Sequence, residues 1–149
     1  MEKREIINEV DILIVEDNQN DAELALRALK QNNIANKVLI INDGRQALDF
    51  IFARGEFAKR KGIAHPKIIL LDLKLPRIDG LEVLREIKSN PDTKIIPVIV
   101  LSSSREKNDI VQSYRLCANS YIVKPVDYEE FVETIRDLGI YWLKLNQQP

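Results

Sequence analysis

Five side chains that could bind a metal ion or take part in a reaction lie directly after short apolar runs of this sequence. Glu16 and Asp17 follow the first run, Asp72 the third, Ser102 the fourth and Lys124 the fifth. Three carboxylates about 5 Å apart would cost roughly 3 kcal/mol per ionised pair at an effective dielectric near 20, so such a cluster needs a cation or raised pKa values. Carboxylate oxygens with room for water suit Mg²⁺, and the lack of His and Cys argues against zinc. The pattern therefore predicts a magnesium site.

A carboxylate beside a magnesium ion can also act as a nucleophile toward a phosphoryl group. The ion, held by Asp17, by Asp72 and through water by Glu16, would offset the charge of the phosphoryl oxygens. Lys124 would contact one of these oxygens, and the Ser102 hydroxyl would donate to another. Taken singly, these residues are better explained as loop acids, helix caps or surface charges. Their joint placement favours a phosphoryl-transfer site.

Five runs of branched apolar residues are the predicted strands that position this site. They lack polar alternation, which is typical of strands buried on both faces of a parallel sheet. Segments of helical period separate them; Ile110, Val111 and Tyr114, for example, are the predicted apolar stripe of the fourth helix. The pattern predicts an α/β domain with a doubly wound, five-stranded parallel sheet and a ligand site at the carboxyl ends of its strands. The runs are residues 12–15, 38–41, 68–71, 98–101 and 121–123.

Composition indicates one domain and excludes several classes of protein. With 149 residues, 45% of them hydrophobic, we expect a single domain over residues 1–149 with a core at about 10–143. Lys and Arg number 22 against 23 Asp and Glu, a net charge of -1, which disfavours direct nucleic-acid binding. No apolar run approaches the roughly 20 residues that span a bilayer, and the charged start argues against a secretory signal. We expect a cytoplasmic protein without membrane contact.

Local features refine this picture. Asn18 and Asp43 are placed to cap helices. The longest interruption, residues 55–66, has mixed charge and few core-forming residues, so we expect a surface loop. Cys117, the one cysteine, cannot form an internal disulfide and is expected to be a small apolar filler at the end of the fourth helix. His65 has no Cys, Asp or second His near it, so we expect no ligand role.

Four motifs, in order, give the chain a specific resemblance. They are Ile-Leu-Ile-Val-Glu16-Asp17-Asn, Leu-Leu-Asp72-Leu-Lys-Leu-Pro76-Arg-Ile-Asp79-Gly80, Val-Ile-Val-Leu-Ser102-Ser-Ser and Tyr121-Ile-Val-Lys124-Pro125. From residue 11 to about residue 143 the sequence resembles a response-regulator receiver domain, the phosphoacceptor module of two-component signalling. The resemblance implies a flavodoxin-like (βα)5 fold with strand order 2-1-3-4-5. It also implies a signalling phosphoacceptor rather than an ordinary enzyme, one that assists its own phosphorylation and dephosphorylation.

The resemblance assigns roles to the site residues. It implies that a sensor histidine kinase phosphorylates Asp72 and that Glu16 and Asp17 form the acidic pair at the Mg²⁺ ion. The backbone carbonyl of Lys74 would complete the metal shell. The Lys74 side chain departs from many relatives, which carry a smaller polar group there. It either points into solvent or competes with Mg²⁺ and changes the lifetime of the acyl phosphate.

The resemblance also implies a switch. Ser102 and Lys124 would bind the phosphoryl group, while Ser102 would move toward that group and Tyr121 would turn inward. Adding a charge of about -1.5 to -2 rewards any donor that can approach. For Tyr121, packing on an edge strand is an equally good explanation. Ser104 would tune access of the attacking water, and the Lys124–Pro125 bond would be cis.

Output and partners follow from what remains of the chain. About 25 residues follow the fifth strand, too few for a DNA-binding effector, so the receiver surface itself would carry the output. Apolar residues near the carboxyl end favour a homodimer through helix 4, strand 5 and helix 5. Residues 55–66, residues 86–97 and the segment containing Trp142 resemble the stand-alone regulators associated with phytochrome-type histidine kinases. That narrower resemblance implies a kinase partner of that type.

Three alternatives remain open. A phosphohydrolase with an aspartyl-phosphate intermediate would carry a second acid two residues after the nucleophile, where this sequence has Lys74. A flavin-binding electron carrier would need a Ser-, Thr- and Gly-rich phosphate loop after the first strand, but residues 16–21 are acidic. A degenerate receiver would bind a partner without phosphorylation, although all five site residues are present.

Overall fold

Five strands alternate with five α-helices in the computed structural model, which describes residues 9–31, 33–34 and 37–149. A short 3-10 helix, Gly55–Arg60, follows the second α-helix, and a π-helical turn, Tyr141–Leu145, follows the fifth. The strands are β1 (Ile12–Val15), β2 (Val38–Ile41), β3 (Ile68–Leu71), β4 (Val98–Ser102) and β5 (Ser120–Val123). The helices are α1 (Gln19–Gln31), α2 (Gly44–Ile51), α3 (Gly80–Ser89), α4 (Lys107–Arg115) and α5 (Tyr128–Ile140).

The strands form one parallel sheet in the order β2-β1-β3-β4-β5, which confirms the predicted fold and topology. In the centre, Leu13 of β1 pairs with Leu39 of β2 on one side and Ile69 of β3 on the other. Because every strand runs in the same direction, all the carboxyl ends lie at one edge. That edge, called the carboxyl edge below, is where the predicted site residues fall; the amino edge is opposite.

Both faces of the sheet are buried, as the uninterrupted apolar runs predict. Leu13 and Val15 of β1 join a core with α2 and α3, while Ile12 and Ile14 join a second core with α1 and α5. The second core is tight at Gly139 in α5. A Cβ there would lie 2.8 Å from side-chain atoms of Leu29 and Ile34, so these two side chains would have to shift to admit a larger residue.

The segment 55–66, predicted to be a surface loop, contributes to the core instead. Its 3-10 helix places Phe57 edge-on against Phe50 of α2, with ring centroids 5.3 Å apart. The guanidinium of Arg60 lies 3.7 Å from the centroid of the same Phe50 ring and is buried. One aromatic residue and one arginine were enough to attach this mixed-charge segment to α2.

Helix α4 is much less buried than its sequence pattern indicates. Only Ser113 is buried in it, and Tyr114, predicted to lie on its core face, is 51% exposed. The prediction for Cys117 is also wrong, because the chain leaves α4 there with a φ of 71° and Cys117 is exposed. Ala118 fills the core in its place. Among the described residues, no helix combines the length and apolar character needed to cross a membrane.

Candidate functional site

Backbone hydrogen bonds at the carboxyl edge align the acids that follow β1 and β3. The Glu16 amide donates to the carbonyl of Ile41 at 3.0 Å, and the Asp72 amide donates to that of Val15 at 3.0 Å. Strand β1 is therefore hydrogen-bonded to both of its neighbours, β2 and β3, up to the residue where the acids begin. Asn18 then starts α1 by accepting from the Asp21 amide at 3.0 Å, as predicted for a helix cap.

The three predicted carboxylates come together. Glu16, Asp17 and Asp72 each offer an oxygen, and these oxygens lie within 4.8 Å of one another. Glu16 and Asp72 are only 5% and 8% exposed, whereas Asp17 is open to solvent. An all-oxygen set with one open side fits a hard divalent cation that keeps part of its water shell.

The ammonium of Lys124 lies among these acids. Its Nζ is 2.6 Å from Glu16 Oε1, 2.9 Å from Asp21 Oδ2 and 3.3 Å from Asp72 Oδ2. Sequence reasoning missed Asp21. The signal was available, because an acid in the first turn of a helix that starts beside the site faces the same edge.

Burial and charge shift two pKa values here. Burial raises the pKa of Glu16 to about 7, with Asp72 adding to the rise and the hydrogen bond to Lys124 opposing it. Burial alone lowers the pKa of Lys124, but its hydrogen bonds to Glu16 and Asp21 outweigh that effect and the pKa is raised overall. Lys124 therefore stays protonated, and its ammonium group is shared among several carboxylates.

The predicted switch residues meet through Ser104. Ser102, at the end of β4, is fully buried and its Oγ accepts from the Ser104 amide at 3.2 Å. The Tyr121 hydroxyl donates to the carbonyl oxygen of Ser104 at 2.9 Å. The Lys124 amide donates to the Ser102 carbonyl at 2.8 Å, so β4 and β5 remain hydrogen-bonded up to the site residues that end them.

The loop after β3 approaches the Asp72 backbone closely. The Gly80 amide donates to the Leu73 carbonyl at 2.7 Å, and a Cβ at Gly80 would overlap the carbonyl oxygen of Asp72. Asp79 caps α3 by accepting from the Glu82 amide at 3.0 Å. The Asp-Gly pair of the sequence motif is thereby explained, since one residue starts the helix and the other makes room for the loop.

Two further expectations concern the Lys74 side chain and the Lys124–Pro125 peptide bond. The Lys74 amide donates to Asp72 Oδ1 at 3.4 Å, and its side chain points into solvent beside a cleft of about 530 Å³ that Asp17, Asp79 and Asp109 also line. The cis Lys124–Pro125 bond implied by the resemblance is wrong, because the described residues contain no cis peptide bond. Trans is the lower-energy isomer before proline by about 0.5–1 kcal/mol.

Known proteins match this chain over most of its length. The family described as response regulator receiver domain matches residues 12–136. Response regulator Rcp1 of Synechocystis sp. is 39% identical over 133 residues, which cover 89% of this chain and 88% of Rcp1. The crystal structure of its Mn²⁺-bound form superposes with a TM-score of 0.86 at 38% identity, covering 93% of this chain and 97% of the other.

Two further solved structures agree. The phosphorylated cyanobacterial phytochrome response regulator RcpA has a TM-score of 0.88 at 38% identity, covering 95% of this chain and 99% of its own. The bacteriophytochrome response regulator RtBRR has a TM-score of 0.74 at 47% identity, covering 95% of this chain and 84% of its own. With the strand order and the acidic edge already described, these matches lead to one conclusion: the chain belongs to the response regulator receiver domain family of two-component phosphorelays.

Proposed function

We propose that this receiver accepts a phosphoryl group on Asp72 from a sensor histidine kinase in a Mg²⁺-dependent reaction, and that phosphorylation changes its protein contacts. One observation carries the proposal. Three carboxylate oxygens lie within 4.8 Å of one another, and the Lys124 ammonium contacts two of the same side chains, Glu16 and Asp72. Such a cluster binds a cation and stabilises the oxygens of a phosphoryl group.

The transfer needs little covalent chemistry from the protein. A carboxylate oxygen of Asp72 attacks the phosphorus of a phosphohistidine on the kinase. The P–O bond forms as the P–N bond breaks, and the electron pair returns to the imidazole nitrogen, which takes a proton from water. Because Lys124 Nζ already lies 3.3 Å from Asp72 Oδ2, it can contact an oxygen of the incoming group.

The donor set suits magnesium. Glu16, Asp17 and Asp72, with the backbone carbonyl of Lys74, would hold the ion through oxygen alone. When bound, it would offset the charge of the phosphoryl oxygens. The Mn²⁺-bound form of Rcp1 supports a divalent metal at this kind of site.

Ser102 and Tyr121 are the proposed switch. The Ser102 hydroxyl is buried at the end of β4, and a movement toward Asp72 would let it donate to a phosphoryl oxygen. Tyr121 follows through Ser104, which already joins the two residues by hydrogen bonds. Phosphorylation would thereby reach the surface formed by β5 and its neighbours.

Intact-protein mass spectrometry tests the proposal. Wild type incubated with acetyl phosphate and Mg²⁺ gains one phosphoryl group, while Asp72→Asn gains none and wild type without Mg²⁺ gains far less. Asp137→Asn removes an exposed carboxylate of α5 and behaves as wild type. If no addition occurs, even with a histidine kinase supplied, the degenerate receiver that binds partners without phosphorylation becomes the better description.

The kinase and the oligomeric state extend the proposal. The phytochrome and bacteriophytochrome regulators among the similar structures support a phytochrome-type kinase as the donor.

The weak burial of α4, together with the exposure of Tyr114, Tyr128 and Tyr141, supports a homodimer through α4, β5 and α5. Sedimentation equilibrium should give a dimer mass at micromolar concentration. A monomer at high micromolar concentration, with and without phosphoryl donor, would contradict it.

A further inference from the structure

Asp21 contacts the Lys124 ammonium from the first turn of α1. Its Oδ2 accepts from Lys124 Nζ at 2.9 Å, and its own amide donates to Asn18 Oδ1 at 3.0 Å. The cap at Asn18 thereby holds the backbone from which the Asp21 carboxylate reaches the site. The side chains of Lys124 and Asp21 are only 10% and 29% exposed. Salt therefore screens this ion pair less than it screens a pair at the open surface.

The carboxylate of Asp21 differs from the other partners of Lys124. Lys124 contacts three carboxylates, those of Glu16, Asp21 and Asp72. Glu16 and Asp72 belong, with Asp17, to the group of oxygens that lie within 4.8 Å of one another, and Asp21 does not. Among the described contacts of Lys124, Asp21 is thus the one carboxylate outside the proposed metal ligands.

Two cations depend on the same acids at this site. A divalent ion held by Glu16 and Asp72 would neutralise charge that the Lys124 ammonium also uses. The ion and the ammonium also repel each other, because both are positive. Asp21 gives Lys124 a negative partner that does not take part in this competition. A chain without that partner would bind the metal at the expense of every ion pair of Lys124.

We infer that Asp21 is a positioning residue that holds the Lys124 ammonium beside Asp72 and thereby lets Lys124 and the metal ion occupy the site together. This inference rests on the proposed Mg²⁺-dependent phosphorylation of Asp72, and it adds a residue that acts only through Lys124. Removing the charge of Asp21 should weaken metal binding, because Lys124 would then compete more strongly for Glu16 and Asp72. It should also slow phosphoryl transfer at saturating metal, because Lys124 would be held less firmly.

Metal binding by Asp21→Asn is the first test, with Glu23→Gln as the matched control. Glu23 is an exposed acid of the same helix, and its carboxylate accepts from the Gln19 side chain instead of Lys124. Mn²⁺ serves as the probe, because it prefers oxygen ligands as Mg²⁺ does and its free concentration can be read by electron paramagnetic resonance. Asp21→Asn should bind Mn²⁺ about fivefold more weakly than wild type, a small coupling between sites. Glu23→Gln should match wild type.

A double-variant cycle separates an effect through Lys124 from a direct attraction between Asp21 and the metal. In the Lys124→Met background the competing ammonium is gone, so Asp21→Asn should lower the Mn²⁺ affinity by less than about twofold. An equal drop in both backgrounds would mean that Asp21 acts on the metal directly, and it would overturn the inference.

Phosphorylation supplies an independent readout. With acetyl phosphate and Mg²⁺ at a concentration that saturates each variant, Asp21→Asn should gain the phosphoryl mass more slowly than wild type and Glu23→Gln. Affinities and rates that are the same in Asp21→Asn and in the control would overturn the inference while leaving the proposed function intact. A wild type that binds Mn²⁺ but gains no phosphoryl group would instead defeat the proposed function, and the inference with it.

Discussion

Two lysines at opposite edges of the sheet show how the charge of its partners decides what a partly buried ammonium group does. Lys124 follows β5 at the carboxyl edge and contacts three carboxylates. Lys88 lies near the end of α3 at the amino edge and donates to neutral oxygens at 2.7–3.1 Å. Those oxygens belong to the carbonyls of Lys94 and Ile96 and to the side chain of Asn119.

The two pKa values shift in opposite directions for this reason. Burial lowers the pKa of Lys88; Cys117 opposes this shift and the cation of Lys94 adds to it, and the pKa is lowered overall. Burial also acts on Lys124, but its carboxylate partners reverse the effect and raise the pKa. In the proposed reaction, Lys124 would exchange one anion for another when a phosphoryl group arrives. Lys88 is a fixed joint between the segments that lead into β4 and β5, since Asn119 also accepts from the Val98 amide at 2.9 Å.

The largest expected effect separates the two lysines by function. Lys124→Met removes the cation beside Asp72, so phosphorylation by acetyl phosphate should slow by about 100-fold, as when one donor to a developing anion is removed. Lys88→Met, the same substitution at the other edge, should leave the rate close to that of wild type. The rates are measured by following the added phosphoryl mass over time. Equal slowing in both variants would contradict the different roles assigned to the two lysines.

The next effect concerns stability. Lys88→Met leaves three oxygens without their shared donor, two of them at the surface, so the free energy of unfolding should fall by about 2 kcal/mol. Urea denaturation measures this as a lower midpoint at unchanged slope. Lys94→Met is the control: its side chain is exposed, its backbone carbonyl still accepts from Lys88, and loss of its cation only relieves repulsion with Lys88, so the midpoint should not fall. An equal midpoint in both variants would mean that Lys88 is not the joint described.

The smallest effect tests whether location at the carboxyl edge is enough to make a charge functional. Asp43 follows β2 there, but its carboxylate caps α2 through the Gln46 amide at 2.8 Å and pairs with Arg77 at 2.9 Å. Asp43→Asn keeps a capping side chain and loses the ion pair, so phosphorylation should be unchanged. Because Arg77 is 58% exposed, stability should fall by less than about 1 kcal/mol.

The pH dependence of that loss has a definite sign. Burial raises the pKa of Asp43, but the hydrogen bonds from Gln46 and Arg77 outweigh it, so the pKa lies below its ordinary value of 3.8. The unfolded chain therefore takes up the proton at higher pH than the folded one. The contribution is fully present above pH 3.8 and is lost as the pH falls through the folded pKa. Urea midpoints of wild type and Asp43→Asn should differ at pH 7 and converge in acid; a constant difference would contradict this assignment.

Much of the fold and of the site was predictable because the ends of the strands can be identified in the sequence. Each apolar run ends at a polar residue, and parallel strands bring those ends to one edge, so Glu16, Asp72 and Lys124 had to lie at the same edge of the sheet. The caps at Asn18 and Asp43 were readable for a similar local reason. These inferences need only the order of residues along the chain and the geometry of a parallel sheet.

Contacts between segments far apart in the chain could not be predicted from the sequence in this way. Asp21 reaches Lys124, which is 103 residues away, and Tyr121 reaches Ser104 across the gap between two strands. The burial of Phe57 and Arg60 against Phe50, and the exposure of Tyr114, depend on how closely each segment meets its neighbour. An apolar stripe gives the direction a helix face prefers but not how much surface its neighbours leave to cover it.

The sequence by itself determined that a parallel sheet with two buried faces forms and which residue types lie at its carboxyl edge, because periodicity is a local property and the ends of parallel strands meet at one edge. The strand order came only from the resemblance to the receiver family. Only the tertiary structure decided which ammonium group meets carboxylates and which meets carbonyls, and that Ser104 joins Ser102 and Tyr121 to Asp109 of α4. Those outcomes depend on distances of a few ångströms between segments far apart in the chain. Hydrogen bonds and ion pairs form or fail over such distances, which no local pattern encodes.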